Sequence, residues 1–237
     1  MNLRGTLFLH GYGVRGETWK SVQAALGATS GPTWAPDLNA TSVGELIGIA
    51  VEHARSFSTR EHGSILLAGH SLGAVLAALA AQRLGPKIIA GAVLIAPPFG
   101  EREQLPGPVM KFLLRHRLVP PFLLRPRFFS AHTPIEVQKE VFANAVPEAP
   151  ALREMTLSER FFHTDRFDGP LPVPSLVLAS RCDRIVPAHQ SETFGKLLGS
   201  EIVMLGEDEN VGHDDFFASP KIAARTAGII RDFAQRL

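Results

Sequence analysis

Of 237 residues only one, Cys182, is a cysteine. A lone thiol excludes a disulfide within the chain and a cysteine-built metal cluster. Long apolar runs are also missing: nothing approaches the ~20 consecutive apolar residues that a bilayer span requires. The first apolar stretch, Leu7 to Leu9, is too short for a signal-peptide core and runs directly into a glycine loop, so the chain reads as cytoplasmic. Charge of one sign is not in excess either. There are 24 basic and 23 acidic residues, a net +1 that gives no global pointer to nucleic acid or an acidic surface. What remains, 45% apolar and 20% charged residues, suits one large globular domain, or one domain with an inserted lobe, that can bury a full core.

The organising stretch runs from Ser64 to Leu79, an apolar run that passes through Gly69-His70-Ser71-Leu72-Gly73 into an alanine-rich run. It predicts a strand, a sharp turn and a helix, with Ser71 exposed at the tip of the turn as a candidate nucleophile. The pattern G-x-S-x-G arises by chance in about one chain of this length in ten, so its setting decides. Ile65 to Ala68 suits a strand buried on both faces, and Ala74 to Leu84 is apolar nearly all round, as for a helix packed on a sheet. The plainer reading is a strand-to-helix turn with a capping serine.

Upstream, a strand over Thr6 to Leu9 meets Gly11-Tyr12-Gly13-Val14-Arg15-Gly16, with a helix expected over Glu17 to Leu26. This is a formal G-x-G-x-x-G, and Asp37 follows the next strand, Thr33 to Ala35, about where a dinucleotide-binding fold holds a ribose. Bulky Tyr12 and Arg15 stand where a pyrophosphate must approach the backbone. The His10-Gly11 turn serves better as the source of a backbone N–H for an oxyanion, with Tyr12 the donor. A helix over Val43 to Ser56 and a strand over Ile88 to Ile95 continue the alternation, which implies a parallel sheet with right-handed crossovers.

From Phe99 to Asp168 that rhythm breaks, and residues 99–168 read as a mainly helical cap inserted into a core of residues 1–98 and 169–237. Between Gln104 and Ile135 there are five basic residues, Lys111, Arg115, Arg117, Arg125 and Arg127, and no acidic one, interleaved with phenylalanine and leucine. Pro120, Pro121 and Pro126 are expected to break its helices. An ordinary helical cap packing its apolar stripe on the body explains part of this pattern. The rest, a basic and apolar surface, suits a substrate with an acyl chain and an anionic carrier. Beyond it come a strand over Pro174 to Ala179, a helix over Pro187 to Leu198, a strand over Glu201 to Leu205, a polar loop from Gly206 to Asp215 and a closing helix over Pro220 to Leu237.

Ser71, Asp183 and His213 thus each fall just past the carboxyl end of an expected parallel strand, the edge where open sheets build sites. The stretch His10-Gly11-Tyr12-Gly13, the turn Gly69 to Gly73, the segment Asp183-Arg184-Ile185-Val186-Pro187 and the pair Gly212-His213 resemble the corresponding motifs of the α/β-hydrolase superfamily over nearly the whole chain. The chain departs from larger members in lacking their first antiparallel strands. It also lacks the glycine-rich turn that many carry after the segment matched by Pro36-Asp37-Leu38. The resemblance implies an α/β-hydrolase fold in which Ser71 attacks a carbonyl, His213 takes and returns its proton, and Asp183 fixes the imidazole tautomer. Backbone N–H groups of Tyr12 and Leu72 would form the oxyanion hole.

Each of these residues also has a plainer use. Asp183 could pair with Arg181 or Arg184, leaving Asp208 or Asp168 as the acid. His213 with Asp214, Asp215 and His189 could suggest a metal site, but the spacing matches no strong motif and the cluster reads as a solvated loop; no metal or cofactor is expected. His10 and His70 read as structural hydrogen-bonding residues, and Cys182 as a small apolar filler. The implied function is a carboxylic ester hydrolase, acting on a small-molecule acyl ester, with an acyl pocket lined by Phe99, Phe112, Phe122 and Phe128. A sharper alternative is hydrolysis of an ester or thioester on acyl carrier protein, as in the pimeloyl carrier-protein methyl ester esterases, with docking through Arg115, Arg117, Arg125 and Arg127. A binding protein on the same fold and a dinucleotide-dependent oxidoreductase complete the alternatives.

Overall fold

The structure is a computed structural model, and it describes residues 4–27, 30–101, 106–158, 166–167 and 169–237. Its centre is a six-stranded sheet in the order β2-β1-β3-β4-β5-β6: β1 Thr6–Leu9, β2 Thr33–Trp34, β3 Ile65–His70, β4 Ile89–Ile95, β5 Ser175–Ser180 and β6 Glu201–Leu205. Every neighbouring pair is parallel. The helices between strands are α1 Lys20–Leu26, α2 Val43–Arg60, α3 Leu72–Leu84 and α8 Ala188–Leu198, with α9 Asp215–Ala218 and α10 Pro220–Ala234 closing the chain. Between β4 and β5 lie α4 Pro108–Arg115, α5 Pro121–Phe128, α6 Ile135–Ala143 and α7 Pro150–Leu157. The mainly parallel sheet flanked by helices expected from the sequence is what the chain adopts.

Both faces of the sheet are covered, which is why its strands read as unbroken apolar runs. Leu7 and Leu9 of β1 and Ile65 and Leu67 of β3 point to the face packed by α2, α3 and α8. Phe8, Leu66 and Ala68 point to the opposite face, packed by α1, α9 and α10. The parallel pairing places the carboxyl ends of β3, β5 and β6 along one edge. Among the described residues no helix is long and apolar enough to cross a membrane.

The start of α3 depends on glycine. A Cβ on Gly73 would stand 2.1 Å from the Leu9 carbonyl oxygen and 2.5 Å from that of His10, and one on Gly69 would stand 2.1 Å from the Gly73 carbonyl oxygen. These glycines let β1, β3 and α3 meet backbone to backbone.

Two local expectations need correcting. Pro126 does not break its helix but lies inside the last turn of α5, where Phe129 N–H still reaches the Arg125 carbonyl. Pro121 starts that helix, at a position where a missing N–H costs nothing. Cys182 is half-exposed with its thiol 3.7 Å from the Glu207 carbonyl, a loop residue rather than a core filler.

Gly73→Ala is expected to lower the unfolding free energy in urea by about 3 kcal/mol or more, the upper range for forced overpacking. Gly48→Ala, mid-helix in α2 with open space around its Cβ, is expected to raise it by about 0.5–1 kcal/mol. Equal effects would contradict the close approach.

Candidate active site

Ser71 sits between β3 and α3 with φ 54° and ψ −121°, a conformation that a residue with a side chain adopts at a cost of about 1–3 kcal/mol. Its N–H donates to the Ile95 carbonyl at 2.8 Å, fixing the turn to β4. The serine is no cap: no side-chain bond from it closes the helix start. Gly11 lies against it, since a Cβ there would be 3.2 Å from the Ser71 Cβ.

Asp183 and His213 meet deep in the protein. The Nδ1–H of His213 donates to Asp183 Oδ2 at 2.7 Å, with both side chains almost wholly buried. Asp183 Oδ1 accepts the N–H groups of Ile185 at 2.8 Å and Val186 at 2.9 Å. With both oxygens so used, it is neither a turn residue paired with Arg181 nor with Arg184. Ser180, at the end of β5, donates its hydroxyl to the Val211 carbonyl at 2.7 Å and so ties the strand before Asp183 to the loop before His213. Burial pulls the His213 pKa down, but the charge and hydrogen bond of Asp183, helped by Asp214, outweigh it and leave it raised. With Nδ1 committed, the lone pair is on Nε2, where it can accept a proton from a hydroxyl.

Two other histidines frame this pair and stay neutral, the first because burial lowers its pKa and the second because deeper burial lowers it further. His10 accepts Leu38 N–H on Nε2 at 2.8 Å and donates Nδ1–H to the Gly11 carbonyl at 2.9 Å. His70 donates Nε2–H to the His213 carbonyl at 2.8 Å. Each therefore holds a backbone turn, the use expected of it. Among the described residues no acceptor meets the backbone N–H of Tyr12 or of Leu72.

A model of the alpha/beta hydrolase family matches residues 6–226. The chain belongs to the alpha/beta hydrolase family. Solved structures with this hydrolase fold include an esterase from Thermogutta terrifontis, 20% identical over 98% of this chain and 90% of that one, at a TM-score of 0.72. A monoacylglycerol lipase from Paleococcus ferrophilus is 18% identical over 97% and 93%, at 0.68. A bromoperoxidase from Bacillus anthracis is 11% identical over 100% and 93%, at 0.74. At such identities the likeness is one of fold. No curated protein matches the chain in sequence.

Around this candidate site, several residues have uses the sequence did not reveal. Asp214 and Asp215, expected in a solvated loop, are buried, because the loop from Gly212 folds under the inserted segment. Gly212 packs so tightly there that a Cβ would be 2.8 Å from the Phe128 carbonyl oxygen. Asp215 gathers Gly212 N–H at 2.7 Å, Thr133 Oγ1 at 2.6 Å, and the hydroxyl and N–H of Ser130. It thereby locks residues 130–133 of the insertion to the loop carrying His213. Nothing in the order of residues announces this, since Ser130 and Asp215 are 85 positions apart. Ligand atoms of His70, His213 and Asp214 come within 4.8 Å of one another, whereas Asp215 is fully engaged and His189 lies in α8.

The dinucleotide-like glycines are explained by loop closure. Gly16 donates its N–H to Asp37 Oδ1 at 2.9 Å, Arg15 pairs with Oδ2 at 3.2 Å, and a Cβ on Gly16 would collide with the Ala35 carbonyl. Asp37, although exposed, is thus engaged by the loop itself. Of the four phenylalanines, only Phe128 reaches the site, its ring centroid 6.2 Å from that of His213. Phe99 is in the core, stacked on Phe194 at 4.8 Å. Phe112 and Phe122 are 54% and 60% exposed on the outside of α4 and α5, so they line no enclosed pocket here. Arg115 is held by Glu154 through two bonds of 2.7 and 2.6 Å, while Arg117 and Arg127 are exposed and Arg125 is half-buried. Asp208 is exposed on a turn away from this pairing, and Asp168 lies outside the described residues.

Asp214 has its pKa raised to about 7, chiefly by burial, and its negative charge favours the protonated form of His213. Asp214→Asn removes that charge, so the His213 pKa falls. The acid limb of a pH–rate profile for any reaction needing neutral His213 is then expected to move to lower pH. An unmoved or raised limb would contradict the coupling.

Proposed function

We propose that the chain is a serine hydrolase that cleaves carboxylic esters through an acyl-enzyme intermediate. The observation that carries this reading is the buried bond between His213 Nδ1 and Asp183, on the same sheet edge as the backbone-strained Ser71. In this mechanism Ser71 Oγ adds to the ester carbonyl as its proton passes to His213 Nε2. Asp183 stabilises the imidazolium, and the N–H groups of Tyr12 and Leu72 take the developing oxyanion. Collapse expels the alcohol, which takes the proton from His213. Water, deprotonated by the same imidazole, then attacks the acyl-enzyme and releases the acid and free Ser71. Each oxyanion donor is worth about 3 kcal/mol in the transition state. The inserted segment 99–168 acts as the cap over this site, and Phe128 is the aromatic residue that supports an apolar acyl subsite beside His213.

A second reading, an ester or thioester on acyl carrier protein, is favoured by one surface. Val109, Phe112, Leu118, Phe122 and Leu123 are exposed in a segment that also carries Arg117 and Arg127 with no acid between them. Arg115, already paired with Glu154, contributes least to such docking.

Both readings meet in one assay, hydrolysis of an acyl-chain series of activated esters with Ser71→Ala in parallel. Turnover that falls by a factor on the order of 10⁴ to 10⁶ in the variant supports the esterase, and the best chain length sizes the acyl subsite. An inert wild type that cleaves the carrier-linked ester selects the second reading. A wild type inert on both overturns the proposal.

A further inference from the structure

Tyr12, the donor from the loop after β1, lies between neighbours that are all tied down. On one side the Gly11 carbonyl accepts from His10. On the other, both polar groups of Gly13 are taken by a short stretch of the inserted segment. Val146 N–H donates to the Gly13 carbonyl at 2.8 Å, and Gly13 N–H donates to Glu148 Oε1 at 2.8 Å. Gly13 has φ +76°, the left-handed region that glycine occupies without strain, so the chain can turn there and present its N–H to the insertion. Arg153 of α7 braces the same stretch, its Nη2 donating to the Glu148 carbonyl at 3.2 Å. The Tyr12 N–H, like that of Leu72, has no acceptor among the described residues. A free amide between pinned neighbours is the arrangement of a donor organised before its charge arrives.

We propose that Glu148 is a positioning residue for the oxyanion loop: from the inserted segment, its carboxylate holds Gly13 N–H and thereby aims the adjoining Tyr12 N–H at the carbonyl attacked by Ser71. This rests on the esterase reading. Glu148 is half-buried and touches no reacting atom, but it borders the narrow space behind the turn together with Gly11 and Leu72. Its removal leaves Gly13 N–H without its partner and frees the Tyr12–Gly13 peptide to rotate, which loosens the Tyr12 Cα and through it the Gly11–Tyr12 peptide that carries the Tyr12 N–H. Because the bond crosses 135 residues of sequence, it also links the placement of the insertion to the competence of the turn. An insertion that sits away from the core would leave the donor unaimed.

The test compares wild type, Glu148→Ala and Glu148→Gln in the full chain, by steady-state kinetics on the best activated ester and by amide hydrogen exchange of the peptide spanning Gly11 to Gly13. Glu148→Ala is expected to lower kcat by roughly tenfold to a hundredfold, short of the loss of a whole oxyanion donor, with KM held within about twofold and faster exchange in that peptide. Glu148→Gln keeps an acceptor oxygen and recovers most of kcat and of the protection. A kcat for Glu148→Ala within about twofold of wild type, a loss carried by KM alone, or no recovery with Gln would overturn the proposal. Should the alanine variant fail to fold, Glu148→Met, which fills the space without an oxygen acceptor, replaces it. A wild type without ester turnover refutes the esterase reading separately, and unchanged exchange between wild type and Glu148→Ala then still refutes the positioning role.

Discussion

The carbonyl oxygens of Leu9 and His10 come so close to Gly73 that any side chain there would collide with them. That contact decides where the loop after β1 can go. It brings Gly11 against Ser71. Ser71 accepts an unfavourable φ because β3, β4 and α3 are all fixed around it, the last through glycine and the second through its bond to the Ile95 carbonyl. Strain of one to three kcal/mol at such a residue is small against the burial of the sheet and its helices, so a rigid scaffold can sustain it. A flexible scaffold would relax it and lose the geometry.

Electrostatics follow the same logic of saturation. Burying a carboxylate is expensive unless its oxygens are met by donors. Asp183 meets Ile185, Val186 and His213, while Asp215 meets Gly212, Ser130 and Thr133. Asp214, lacking such donors, responds instead by holding its proton to about pH 7. His10 and His70 remain neutral under burial and work as tautomer-fixed links between backbone turns. Of these three imidazoles only His213 is hydrogen-bonded to a carboxylate, and only its pKa is raised.

The strands, the parallel sheet and the placing of Ser71, Asp183 and His213 just past strand ends were legible because they rest on local signals. Apolar runs mark strands buried on both faces, and glycines mark turns where backbones touch. The pairs that attach the insertion to the core were not legible. Glu148 with Gly13, and Asp215 with Ser130 and Thr133, join residues far apart in sequence, and no periodicity records a hydrogen bond between two loops. The apolar residues of the insertion misled for a related reason. Phe112 and Phe122 have the composition of a pocket lining, but a short helix can show such a side chain to solvent, and only tertiary packing decides between the two. Gly11 to Gly16 with Asp37 carried the outline of a nucleotide loop because closing a tight turn and approaching a phosphate both call for glycine.

In the proposed mechanism Ser71 is made nucleophilic by the His213–Asp183 pair. Incubation of the folded chain with a fluorophosphonate, followed by peptide mass mapping, tests it most directly, since covalent capture needs an activated hydroxyl and no knowledge of the natural substrate. The account predicts one adduct per chain, on Ser71, formed far more slowly in His213→Gln although the serine is retained. A folded wild type that carries no adduct, or a His213→Gln variant labelled at the wild-type rate, would contradict it.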